Sequence, residues 1–121
     1  MSGTFSFAPS EDALPPSEVR FNEVHVEQWP DGNRVRVHVK ITPFQQRPDL
    51  EATILDALGN EIADTLIIET PENSLVFTMH LNPTSLEQNL SLKILLTYRN
   101  IGIVDKQEIS FMTHAMGSSP A

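Results

Sequence analysis

Three histidines form the most pointed chemical constellation in the chain. His25, His38 and His80 all occupy polar positions of alternating stretches. Three imidazoles converging on one sheet face would hold zinc with a fourth position open, as catalytic zinc sites do. Ordinary surface histidines account for the same residues, and the sequence places no carboxylate as an outer partner for them. A basic row, Arg34, Arg36, His38 and Lys40, recurs at every second residue. It would either bind anions or be neutralised by Glu23 and Glu27 across a hairpin. Nucleophile and nucleotide signatures are missing: the 5 glycines make no Gly-x-Ser-x-Gly elbow, P-loop or Gly-x-Gly-x-x-Gly. The acidic residues Glu11, Asp12, Asp31, Asp49 and Glu51 make no dense oxygen-rich loop for calcium. The expectation is a chain that is not an enzyme and takes no cofactor.

Residues 21–42 supply the elements that must position these side chains. They read FNEVHVEQWP, then Asp31-Gly32, then NRVRVHVKIT. Asp-Gly between two alternating runs favours a type I′ hairpin turn, whose central residues need positive φ. A two-residue loop pairs Pro30 with Asn33. Trp29 then falls opposite Arg34, Glu27 opposite Arg36, His25 opposite His38 and Glu23 opposite Lys40. The other face pairs Val26 with Val37 and Val24 with Val39. A one-residue slip would mix the two faces, so the pattern fixes the register. Glu27–Arg36 and Glu23–Lys40 are the expected ion pairs, each contributing roughly 0.2–1 kcal/mol. Val19 and Phe21 are out of phase with Val24 and Val26, which predicts a bulge or break near Asn22.

Further strand-like runs follow at the spacing of an all-β fold. With the hairpin they predict strands at 18–29, 34–42, 50–57, 61–69, 75–81, 90–99 and 103–113, and a single helical turn at most, around 83–89. A three-residue loop at Leu58-Gly59-Asn60 would set Leu50 opposite Ile68 and Ala52 opposite Leu66. In that phasing Leu55, Ile67 and Leu95 point outward from adjacent strands and form an apolar patch, read as a partner interface. Residues 1–17 read as a flexible N-terminal arm whose Phe5 and Phe7 would dock on a partner or on the sheet. Residues 18–113 read as the folded domain and 114–121 as a flexible tail.

Composition narrows the partners. The 121 residues suit one domain. Sixteen acidic against 8 basic residues give a net charge of −8, which disfavours binding to a phosphate backbone, so no nucleic acid is expected. No run of 18 apolar residues is present, so no membrane insertion is expected. The first residues lack a basic, then apolar, signal pattern, and Cys is absent. A cytoplasmic location is the expectation, and a secreted fragment stays open.

The order of runs resembles the fibronectin type III and bacterial immunoglobulin-like sandwiches. Leu81-Asn82-Pro83-Thr84 is similar to the Leu-x-Pro-x-Thr segment that precedes strand F in the former. Ile54-Leu55-Asp56-Ala57-Leu58-Gly59-Asn60-Glu61-Ile62 is similar to a hairpin common in the latter. The chain departs from those families in lacking the Tyr after the Leu-x-Pro-x-Thr segment, in placing Trp29 at the end of the first strand, and in having no Cys pair. The resemblance implies a seven-stranded antiparallel immunoglobulin-like β-sandwich with sheets A-B-E and G-F-C-C′. It implies no ligand, because this fold hosts many functions. The functional expectation is a non-catalytic protein-interaction or structural module, a homodimer or an accessory subunit of a larger assembly. A carbohydrate-binding module, using Trp29 and Phe44, and a histidine metal-binding module are the alternatives.

Overall fold

Runs that alternate Val, Ile, Leu and Phe with polar residues become strands throughout the chain. The computed structural model describes residues 12–29, 33–81 and 88–113. Within them lie seven strands: β1 (Phe21–Gln28), β2 (Arg34–Ile41), β3 (Asp49–Leu55), β4 (Glu61–Ile67), β5 (Ser74–His80), β6 (Gln88–Tyr98) and β7 (Gly102–Thr113). They form two antiparallel sheets, ordered β1-β2-β5 and β4-β3-β6-β7. These are the strand groupings that the resemblance implied. One apolar cluster joins them. Val35, Val37, Val39 and Ile41 of β2 are buried in the same cluster as Leu50, Ala52 and Ile54 of β3 and Leu92, Ile94 and Leu96 of β6. Each large side chain so buried contributes about 1.5–3 kcal/mol, so the inner faces of β2, β3 and β6 hold the fold together.

The segment 12–17, expected to belong to a flexible arm, is packed. Ala13 is buried. Leu14 forms a bridge to Phe44, with its N–H donating to Pro43 O at 3.0 Å and its carbonyl accepting from Gln45 N at 2.9 Å. A 3-10 turn at Pro16–Glu18 then leads into β1. The sequence reading missed it. Pro16 sits at its first position, where a fixed φ and a missing N–H cost nothing. Phe5, Phe7, the Asp31-Gly32 turn, most of the 83–89 segment and the tail lie outside the described residues.

The first hairpin has the expected register. Glu23 pairs with Lys40, Val24 with Val39, His25 with His38, Val26 with Val37 and Glu27 with Arg36, and the register shifts between Phe21 and Glu23 as the phase break at Asn22 predicts. Phe21 still pairs with Ile41, and its N–H donates to Asp105 Oδ2 of β7 at 2.8 Å, which ties the two sheets along one edge.

The second hairpin corrects the sequence reading. Leu50 pairs with Ile67, Glu51 with Leu66 and Ala52 with Thr65, one residue away from the expected register. The turn begins earlier than expected. Asp56 N donates to Asn60 O, and the Asp56 carboxylate accepts from Leu58 N at 2.9 Å and from Asn60 N at 2.8 Å. These bonds hold the Asp56 carboxyl below its ordinary range. Gly59 takes φ +87°, which suits a residue without Cβ. The loop is therefore residues 57–59. A bulge between Ile54 and Leu55, with Ile62 as the extra residue, then moves the pairing back by one. The net offset exchanges the faces of every residue that follows on β4. Ile67 packs against the core, and Leu66 points to solvent.

At the far end of β6, Tyr98 is buried and its hydroxyl donates to Gln46 O at 2.7 Å. Burial pushes its pKa up from 10.0 to about 12. A raised folded-state value means that the stabilising contribution is complete below the unfolded pKa and is lost as pH climbs through the folded one. Stability should therefore fall between about pH 10 and 12 in the native chain and fall less in Tyr98→Phe. Chemical denaturation across that range checks this. Tyr98 is the sole tyrosine, so phenolate absorbance reads its titration directly.

Candidate functional site

The two outer faces carry different chemistry. On β1-β2-β5 the polar half of the hairpin alternation lies in cross-strand rows. Trp29 closes the hairpin, its N–H donating to Arg34 O at 3.0 Å. The guanidinium of Arg34 lies over the Trp29 ring at 4.2 Å from the centroid, and that of Arg36 lies over it at 4.8 Å. Cation–π attraction of this kind contributes about 0.5–1 kcal/mol per pair at exposed positions. Beside them His25 and His38 approach with ring centroids 5.4 Å apart. His38 Nε2 donates to Glu27 Oε1 at 3.1 Å. Glu23 meets Lys40 at 3.7 Å as expected. Glu27 corrects the second expected ion pair: its carboxylate reaches diagonally to His38, and Arg36, its backbone partner, turns onto Trp29.

The three-histidine zinc site is not assembled. Strand β2 pairs His38 with Val76 and Arg34 with His80. His80 therefore stands four residues along from His38's partner, about 14 Å at a strand rise near 3.4 Å. Among the described residues no three His, Cys, Asp or Glu side chains come together as a metal cluster. The aromatic platform expected of a carbohydrate module is also incomplete. Phe44 is 4% exposed and belongs to the core, and the Trp29 ring already carries two guanidinium groups.

The outer face of β4-β3-β6-β7 is the more apolar one, with membership different from that expected. Ile67 is turned into the core. Leu55 pairs with Ser91, whereas Leu95 pairs with Glu51, so Leu55 and Leu95 are four residues, again about 14 Å, apart. Leu95 instead belongs to the row Leu66, Glu51, Leu95, Lys106. Ile103 stands opposite Thr97 near one end of the same face, and Ile68 follows Leu66 just past β4. Leu66 and Ile103 are each 59% exposed and Ile68 48%. Leu66, Ile68 and Ile103 were missed because the β3–β4 register was read one residue off and β7 was read only for its inner residues. The Asp56-x-x-Gly59-Asn60 sequence, with an Asx cap and a left-handed Gly, was the signal that would have placed the turn.

Among the described residues the fold is thus all-β, seven strands in two antiparallel sheets. Among the described residues no helix is long and apolar enough to cross a membrane. No protein-family model and no curated protein matches the chain. Solved structures do match. The β-glucuronidase of Ruminococcus gnavus in complex with D-glucaro-d-lactam is similar at a TM-score of 0.52 and 20% identity, over 77% of this chain and 15% of that one. Its complex with D-glucaro 1,5-lactone gives 0.53 and 16%, over 82% and 19%. A further crystal structure of the enzyme gives 0.52 and 16%, over 82% and 18%. At such identities the likeness concerns the fold alone. The chain spans less than a fifth of the length of these enzyme chains.

Proposed function

We propose that the chain is a non-catalytic immunoglobulin-like β-sandwich, of the fibronectin type III kind, that acts as an interaction or structural module through the outer face of β4-β3-β6-β7. The observation that carries the reading is the exposure of Leu66, Ile68 and Ile103 on the face that also bears Leu95. Leu66 stands on the edge strand β4, with Ile68 just past its end, and Ile103 stands on the opposite edge strand β7, with Leu95 between. The apolar groups therefore span the width of the face, and an apolar face of that extent suits an association surface. The strand orders β1-β2-β5 and β4-β3-β6-β7 support the sandwich reading. The occurrence of a like fold as a minor part of much larger enzyme chains supports an accessory role.

A second copy of the chain is the first occupant to test. Glu51 and Lys106 flank Leu95 in one row, so a two-fold axis lying between the two faces, parallel to the strands and over Leu95, would set each charge against its opposite on the other copy. That is the self-complementarity an isologous contact requires. The test is sedimentation equilibrium of the native chain and of Leu95→Glu. The native chain should show twice the 13.5 kDa of one chain, and Leu95→Glu should show the single-chain mass with a native circular dichroism spectrum and a melting temperature that no longer depends on concentration. Equal masses for the two proteins, with equal binding to a native-cell partner, would remove this face from the account.

A further inference from the structure

We propose that the corner formed by Trp29, Arg36 and Glu27 binds a small hydroxy acid, taking its carboxylate on Arg36 and its hydroxyls on Glu27. The corner lies on the opposite outer face from the proposed docking surface, so either can fail without the other.

The argument starts from Arg36. It stands on β2, the central strand of its sheet, half-buried, with its guanidinium over the Trp29 ring. Stacking uses the face of the guanidinium and leaves the in-plane N–H donors available for a carboxylate fork. The acidic residue directly across the hairpin does not take that fork, because Glu27 accepts from His38 Nε2 instead. Arg34 lies over the same ring, and the chain as a whole has a net charge of −8. A local cationic spot on an acidic protein selects small anions that fit it, since a large polyanion would meet repulsion from the rest of the surface.

The corner is also concave. Glu27, Gln28, Trp29 and Arg36 line an open hollow of about 190 Å3. That space suits a short acid. Glu27 sits on the same wall as Arg36, and an ionised carboxylate only accepts hydrogen bonds. A ligand that satisfies both walls must therefore carry an oxyanion beside hydroxyl donors. Plain carboxylates satisfy Arg36 and repel Glu27. Neutral polyols satisfy Glu27 and leave Arg36 unfilled.

Trp29 is the one tryptophan in the chain, so intrinsic fluorescence reports this corner. The native chain is titrated at constant ionic strength with tartrate, with succinate as the same acid lacking hydroxyls, and with glucitol as a polyol lacking charge. The expected result is a saturable change with tartrate, a weaker one with succinate and none with glucitol. Arg36→Gln should weaken tartrate by about ten-fold or more, the scale of one charge-assisted hydrogen bond. Arg36→Lys, which keeps the charge but not the fork, should fall between. Melting temperatures confirm that each variant is folded, and Arg36→Lys decides the matter if Arg36→Gln is not. A flat response to tartrate, equal responses to tartrate and succinate, or native affinity in the folded Arg36 variants would overturn the proposal.

Discussion

Replacing Ile94 with alanine should cost about 2–5 kcal/mol of folding stability. Ile94 is fully buried at the middle of β6 and lies between Ala52 of β3 and Gln107 of β7 in the strand pairing. Truncation removes the transfer free energy of the lost methyl and methylene groups. It also leaves a cavity that the neighbouring Leu92, Leu96 and Ile54 fill only in part. The next residue provides the control. Leu95 points to the other face, and Leu95→Ala should change stability by no more than about 0.5 kcal/mol. Urea denaturation of the two variants reads both values. A lower midpoint with an unchanged slope for Ile94→Ala, beside a native midpoint for Leu95→Ala, is the expected outcome. Equal losses would mean that β6 is buried on both faces and that the outer surface described for it does not exist.

Removing the Asp105 carboxylate should have the second largest effect. Asp105 Oδ2 accepts from the buried Phe21 N–H at 2.8 Å, and its Oδ1 accepts from Lys106 N at 2.9 Å. Phe21 pairs with Ile41 at the start of the edge strand β1, and its N–H takes its acceptor from β7. Asp105→Ala would leave that buried donor unsatisfied, at a cost of about 1–3 kcal/mol. Asp105→Asn keeps a carbonyl oxygen in reach and should recover part of the loss. Hydrogen exchange at the Phe21 amide gives a local reading: protection should fall in Asp105→Ala more than at Val37 or Ile94. Unchanged protection at Phe21 would show that the link between the two sheets is made by other contacts.

The strand order followed from the resemblance to immunoglobulin-like sandwiches, and the first hairpin was legible because its pattern is redundant. Alternation over β1 and β2, opposite charges at Glu23 and Lys40, and the Asp31-Gly32 step all point to one register. A slip in any of them would have put valines into solvent. The second hairpin lacked that redundancy. Residues 61–69 are apolar on both sides of the alternation, with Ile62, Leu66, Ile67 and Ile68, so either phase buries something. The register was then decided by the Asp56 cap and the Ile62 bulge, features of hydrogen bonding that hydrophobic period does not record. The exchange of Ile67 for Leu66 on the outer face follows from that single offset. The histidine site failed for a related reason. The sequence puts His38 and His80 on outward positions, but how far apart they stand along their strands depends on the β2–β5 pairing, which joins segments distant in the chain and has no turn between them to fix it. Glu27 was assigned to Arg36 by direct opposition. The diagonal alternative, with His38 as partner and Trp29 drawing Arg36 away, rests on side-chain reach that strand pairing alone does not determine.

The proposed docking face depends most directly on which of two neighbouring residues is outside. One measurement separates them: sedimentation equilibrium, at matched concentration, of Leu66→Glu and Ile67→Glu beside the native chain, with folding followed on the same samples by circular dichroism. Leu66→Glu is expected to keep the native fold and reduce the mass from that of two chains to that of one, while Ile67→Glu, which buries a charge against the core, is expected to unfold. A folded Ile67→Glu that sediments as one chain, or a folded Leu66→Glu that keeps the native mass, would contradict the account.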